Sequence, residues 1–286
     1  MERTLDFRDL KIFQTVARVQ NITAAARNLN YVQSNVTARI KLLEQELNTL
    51  LFYRHARGIT LTGDGQIFLK KVNKLLKEFE ELQNTFTDDN NPTGLLNIGT
   101  VDTVHPLPTI LASYHKQFPN VDISLKTDVS QRLILDILEF KLDGAFVTSP
   151  IQDSSLEQYK VSTKTLVLFS NRLTFDIQDL KNETFLVFSP GCGYRFVLEK
   201  WLKDEGILLK KIMEFNMLEM ILHSVSLGLG ITVLPVTALT FFSNIPNIYW
   251  HEIPEQYGKI ETTFVRNKDM ALSLTMRKFI ENIQSL

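Results

Sequence analysis

The chain has little of several things, and each shortage excludes something. Its one cysteine, Cys192, rules out an intrachain disulfide and fits a reducing compartment. Its five histidines, at positions 55, 105, 115, 223 and 251, are scattered without metal-ligand spacing. There is no phosphate loop, nucleophile elbow or His/Glu pair on one helix face. Gly228-Leu229-Gly230 precedes a strand-like run, where a dinucleotide fingerprint would follow one. These shortages argue against an enzyme, and no metal or cofactor is expected. The longest apolar region, residues 228–242, contains Pro235 and threonines and is too short to span a bilayer. The opening MERTLDFRDL is charged and lacks the apolar core of an export signal. The expectation is a cytoplasmic chain with no membrane partner.

What is present begins near the N-terminus. Val36, Ile40, Leu43 and Leu47 recur at spacings of 4, 3 and 4, one buried stripe of a helix over 33–47. Ser34, Ala38 and Lys41 lie opposite that stripe, with Asn35 and Thr37 flanking it and Gln33 at the start. That short polar face suits base edges and phosphates. Residues 23–29, rich in alanine, predict a preceding helix capped at Asn21 or Thr23. Leu10, Phe13, Val16 and Ala17 predict an earlier helix that closes the core. Two β-prone runs in 51–62 flank Gly58, with Arg54 and Arg57 near the tip, as in a wing that grips a phosphate backbone. Residues 1–62 hold 9 Lys and Arg against 5 Asp and Glu, while the rest holds 22 against 27, so the charge that attracts a polyanion sits at one end.

Further on, Phe68, Val72, Leu75, Phe79, Leu82 and Phe86 are spaced 4, 3, 4, 3 and 4. The sequence nearby offers no apolar layer to cover this seam, so it predicts a helix that pairs with a second chain. The polar run 88–94 marks a domain boundary. Beyond it, strands (95–99, 121–126, 144–147, 185–188, 211–215, 231–234) alternate with helices (104–118, 131–140, 195–205, 218–227), the pattern of an α/β fold with largely parallel sheets. Its length favours two lobes, with crossovers at 161–165 and 263–266 and a final helix over 271–283. Ligands of such sheets bind at the carboxyl ends of strands. The loops there contain Thr100 and Asp102, Thr148 and Ser149, and Ser189, Gly193 and Arg195. Hydroxyls before helices and a fork-shaped cation suit a small carboxylate, with Glu219 a further candidate for the same cleft. Cys192 beside Arg195 leaves a redox-responsive alternative open.

The stretches 9–13, 23–26, 33–37, 43–47, 51–54 and 61–65 resemble, in order and spacing, the N-terminal block of LysR-type transcriptional regulators. The similarity continues through 96–99, 118–121, 142–145 and 228–235. The family often has Ser at Val32 and Arg at Ala38, so the operator does not follow by analogy. The resemblance implies an α/β protein with an N-terminal all-α winged helix-turn-helix and a two-lobed, periplasmic-binding-protein-like effector domain, joined by a long linker helix. The expected division is 1–62 for DNA binding, 63–91 for the linker and dimerisation, and 92–286 for the effector. Lobe 1 would hold 92–161 and 266–286, and lobe 2 would hold 162–265. The implied partners are promoter DNA, a second copy (a homodimer, and a homotetramer of two pairs), a small-molecule effector and RNA polymerase. The competing readings are a constitutive or Cys192-dependent repressor and, more distantly, a solute-binding protein.

Overall fold

The chain divides into two units, Met1–Phe86 and Thr87–Leu286, in a computed structural model that describes residues 5–55, 58–84, 91–104, 106–148, 150–241 and 245–285. In the first unit, Asp6 caps α1 (Phe7–Val19) by accepting the Arg8 amide at 2.9 Å. Asn21 caps α2 (Ile22–Asn28) by accepting the Ala24 amide at 3.0 Å, so Asn21 rather than Thr23 supplies the cap. After a turn comes α3 (Gln33–Leu47), with Val36, Ile40 and Leu43 buried against Phe13 and Val16. Buried Ala25 and Ala26 let α2 approach closely. The wing is β1 (Phe52–His55) paired antiparallel with β2 (Gly58–Leu61). Glu44, on α3 and buried, anchors it: its Oε1 accepts the amides of Leu51 and Phe52 at 3.0 and 3.1 Å.

The long helix α4 (Gly63–Asn84) corrects the premise drawn from its seam. An apolar layer does cover part of it, and that layer is α1. Val72 is fully buried and Leu76 nearly so. Phe68 meets the Phe13 ring edge-on at 5.0 Å, and Phe79 packs on Phe7 at 4.3 Å. Phe68 and Val72 thus belong to this unit's own core, while Ile67, Leu75 and Leu82 stay exposed. The apolar repeat does not show which neighbour is buried against it, and α1 lies too far away in sequence to be noticed. Phe86 lies outside the described residues.

The second unit runs β3 (Gly94–Thr100), α5 (Leu107–Gln117), β4 (Val121–Thr127), α6 (Ser130–Leu138), β5 (Gly144–Val147) and the long β6 (Leu156–Ser170). It continues through β7 (Phe185–Phe188), α7 (Gly193–Asp204), β8 (Ile212–Phe215), α8 (Leu218–Ser226) and β9 (Thr232–Pro235). It ends with β10 (Tyr249–His251), β11 (Lys259–Asn267) and α9 (Leu274–Gln284). One sheet has the order β10-β6-β11-β5-β3-β4, with β9 also paired to β6. Among the described strands, β3 pairs in parallel with β4 and β5, and β7 with β8, with one further parallel bridge from Phe185 to Ile231. The expected largely parallel sheets are therefore mixed, because β6 and β11 cross between lobes as an antiparallel pair. Their register breaks between Thr262 and Thr263, and two separate apolar cores lie on either side of that break. The helix α9 returns to α5, where the Tyr114 hydroxyl donates to the Thr275 carbonyl at 2.9 Å.

Candidate DNA interface and ligand cleft

The exposed face of α3 carries Gln33, Ser34, Asn35 and Lys41, with Thr37 half-buried beside them. Thr23 donates to Gln33 Oε1 at 3.1 Å, which orients that amide and leaves its nitrogen for another acceptor. Thr37 donates to the Gln33 carbonyl at 2.9 Å, so its hydroxyl can offer only lone pairs outward. Val32 gives the helix no side-chain cap. The amides of Gln33 and Ser34 are therefore available to an anion such as a phosphate. Arg54, exposed near the turn end of β1, lies 3.7 Å from Glu44. Arg57 lies outside the described residues. Arg39, although on α3, turns back to Asp6 and Asp9 at 3.6 and 3.2 Å and belongs to the scaffold.

In the second unit, a cavity of about 460 Å³ opens at the carboxyl ends of β3, β4, β7 and β8. Its lobe 1 wall is Asp102 and Thr103 with Thr127 and Asp128, and its lobe 2 wall is Ser189, Tyr194 and Asn216. Asp102 Oδ2 accepts the Leu218 amide at 3.3 Å, so a lobe 1 carboxylate holds the N-terminus of a lobe 2 helix. Ser189 donates to Asn216 Oδ1 at 2.8 Å. Beneath this wall the Tyr194 hydroxyl, buried, shares a short hydrogen bond with Thr103. Lys164 on β6, also buried, donates to the Thr103 carbonyl at 2.5 Å and lies 3.4 Å from the Tyr194 hydroxyl. Burial pushes the Lys164 amine down to about 8.

The structure separates the expected effector residues. Asp102 and Ser189 line this cavity. Thr100 and Thr148 are buried beneath it: Thr100 donates to the Val101 carbonyl at 3.0 Å, and the Thr148 amide donates to Ser130 Oγ at 3.1 Å. Gly193 is a packing position, because a Cβ there would stand 2.0 Å from the Thr148 carbonyl oxygen of the opposite lobe. Glu219 is exposed on α8, does not line the cavity and lies 3.9 Å from His223 one turn on, which corrects the expectation of no His/Glu pair on one helix face. Ser149 lies outside the described residues.

Arg195 corrects the proposed carboxylate clamp. Its Nε and Nη1 are 2.7 Å from Glu199 and Glu214, and Nη1 also donates to the Phe188 carbonyl at 3.1 Å. Burial works against its charge, but Glu199 and Glu214 outweigh that and raise its pKa. It faces a different cavity, of about 410 Å³, with Gln131, Pro150 and Phe196. Cys192 is buried and borders both cavities. Burial pushes its thiol pKa up, against smaller opposing pulls from the Arg195 and Tyr194 amides. That is the reverse of what an activated thiolate needs, and it disfavours the redox reading. Sequence reasoning missed Asp128 and Asn216, although they close β4 and β8 under the same strand-end rule. Lys164 gave no signal, being one lysine among many until the crossover buries it.

A winged helix-turn-helix followed by a two-lobed ligand-binding unit defines a ligand-responsive DNA-binding protein. Residues 7–66 match the family described as "Bacterial regulatory helix-turn-helix protein, lysR family", and residues 89–286 match "LysR substrate binding domain". The chain is 52% identical over 280 residues to the "HTH-type transcriptional regulator CzcR" of Bacillus anthracis, covering 98% of this chain and 97% of that one. It is 44% identical to the "HTH-type transcriptional regulator SoxR" of Arthrobacter sp. (strain TE1826), covering 98% and 97%. Among solved structures, a full-length OxyR variant from Pseudomonas aeruginosa superposes with TM-score 0.76 at 18% identity, covering 98% and 95%. Full-length CbnR complexed with its target DNA superposes with TM-score 0.65 at 20% identity, covering 98% and 99%. The chain belongs to the LysR family of DNA-binding transcription regulators and is not an enzyme. No helix among its described residues is long and apolar enough to cross a membrane.

Proposed function

We propose that this regulator reads promoter DNA through α3, with Gln33, Ser34 and Asn35 at the base edges and Lys41, Arg54 and the α3 N-terminal amides on phosphates. A small polar effector binds between the lobes and changes how the chain holds its promoter, and thereby the access of RNA polymerase. Chains pair through the exposed side of α4, where Ile67, Leu75 and Leu82 would otherwise leave apolar surface in water. Two such pairs form the working tetramer, in the cytoplasm where the DNA lies. The CbnR relative was solved with its target DNA, which supports the DNA step. The observation that carries the ligand step is the polar-walled cavity at four strand ends, built from both lobes.

The test begins with selection of bound sequences from a randomised duplex pool by the full-length protein, followed by footprinting on the selected site. Replacing Gln33 or Ser34 with Ala should relax sequence preference, while Lys41→Ala should weaken binding to all sequences alike. Replacing Ser189 with Trp, which fills the cleft, should abolish ligand-dependent changes in the footprint. Unchanged preference in both α3 variants would remove α3 as the reading helix, and a normal ligand response in the filled cleft would remove the cleft.

A further inference from the structure

Among the described residues, buried Asp143 accepts the Asn97 amide at 2.7 Å, and the buried charges Asp9, Glu44, Asp136 and Arg266 each have an opposite charge in ion-pair range: Arg39, Arg54, Lys126 and Glu157 respectively. Lys164 does not. Its amine meets only a neutral carbonyl and a neutral hydroxyl, those of Thr103 and Tyr194. Both residues form the cavity wall, so the buried amine stands one hydroxyl behind the cleft surface. An uncompensated buried cation is costly, and an anion docked on that wall would offset the cost.

The rim of the same cavity carries the opposite sign. Asp102 and Asp128 both line it, on loops leaving adjacent strands β3 and β4. Each is partly engaged: Asp102 Oδ2 with the Leu218 amide, and Asp128 with the Val129 amide at 2.9 Å and Lys126 at 3.3 Å. A plain carboxylate would meet Lys164 favourably but pass two acids. A plain amine would suit the acids but face the buried cation.

Resting on the reading of this cleft as the effector site, the geometry points to an α-amino acid, or an equally small zwitterion, as the effector. Its carboxylate sits on the Thr103 and Tyr194 hydroxyls in front of Lys164, and its ammonium lies toward Asp102 and Asp128. Lys164 acts here as a positioning residue: it polarises the hydroxyl that meets the ligand and neutralises the ligand's charge.

The test is titration calorimetry on the full-length protein with the common amino acids singly, each beside its α-keto acid and its decarboxylated amine. At least one amino acid should bind, and removing either charged group should weaken it about 10- to 100-fold, the range expected for a charge-assisted hydrogen bond. Lys164→Gln keeps a donor for the Thr103 carbonyl and should weaken the amino acid by a similar factor while binding the matching amine no more weakly than wild type. Asp128→Asn, at a partly exposed position, should shrink the preference for the amino acid over its keto acid. Should Lys164→Gln fail to fold, Asp128→Asn decides alone. Keto acids or amines that bind as tightly as the amino acid, and are lost in Ser189→Trp, would overturn the zwitterion and leave the cleft standing. Silence from all three classes on folded protein would overturn both.

Discussion

The two sides of α4 make opposite predictions, and Val72 against Leu75 and Leu82 separates them. Val72 is fully enclosed by its own unit. Val72→Ala removes two methyl groups, worth about 0.8 kcal/mol each in transfer, and leaves a cavity beside the Phe13 and Phe68 rings. The cost should be about 2 kcal/mol, and for a unit of this size the unfolding midpoint should fall on the order of 10 °C. Leu75 and Leu82 are 49% and 59% exposed, so Leu75→Lys with Leu82→Lys removes little from the monomer's own packing. Its effect should appear through mass action: a dimer's midpoint rises with protein concentration, and that dependence should vanish in the double variant. Differential scanning calorimetry over a hundredfold concentration range, with sedimentation velocity at 20 °C, reads both quantities. Val72→Ala should sediment as wild type and keep the concentration dependence from a lower midpoint. A Val72→Ala protein that is monomeric at undiminished stability would refute the assignment of this side of α4 to the chain's own core.

Other substitutions test other parts of the molecule. Arg195→Ala should keep the ligand response, because the guanidinium already serves Glu199 and Glu214; a lost response in footprinting would restore it as a ligand contact. Glu44→Ala strands two buried wing amides and should cost roughly 2–4 kcal/mol, measured by urea unfolding, with weaker DNA binding in gel shifts. Gly193→Ala must displace either α7 or Thr148, since 2.0 Å is far inside contact distance. It should loosen the lobes and weaken ligand binding at least tenfold by calorimetry. The folded Lys164 amine, held near 8 and so below its ordinary value, binds fewer protons than the unfolded chain between those limits. Its burial therefore costs about 3 kcal/mol below pH 8, a cost relieved as pH rises toward the ordinary lysine value. Lys164→Gln should stabilise the ligand-free protein at pH 7, with the gap closing by pH 10 in thermal melts; a gap constant with pH would mean the amine is not desolvated.

Periodicity reports which side of an element is buried, and there the sequence was legible. The α3 stripe of Val36, Ile40 and Leu43 faces the core as its spacing requires. The strands β5 and β7 occupy 144–147 and 185–188 as read. Periodicity does not name the partner, and so the same kind of stripe on α4 misled: Phe68 and Val72 meet α1, more than fifty residues earlier. The cleft was legible only in part, for a related reason. Strand-end loops can be found in sequence, which brought in Asp102 and Ser189. Whether a side chain there faces ligand, caps a helix or is already paired depends on the opposite lobe. Arg195, on α7, resembled a free cation until Glu214, on β8, came within 2.7 Å of it.

The contacts between the lobes bear on how a ligand can act. Gly193 abuts Thr148, and the Gln131 amide donates to the Gly191 carbonyl at 3.2 Å, so the segment before α7 is clasped to the start of α6. Asp102 also holds the Leu218 amide and Thr103 holds Tyr194 across the lobes, and the crossover strands join them, with a register break between Thr262 and Thr263 where, among the described residues, the buried hydroxyls of Ser162 and Thr262 have no partners. Unpaired hydroxyls at a broken register mark the part of the crossover where bending costs fewest hydrogen bonds. Lys164 stands two residues from Ser162 on the same strand and so on the same face. A ligand that changes the charge balance at Lys164 therefore acts beside the bend itself. Ser162→Gly or Thr262→Gly should ease that bend and weaken the ligand's effect on the footprint without changing the residues that touch it. A footprint response of normal size in both variants would place the moving part elsewhere.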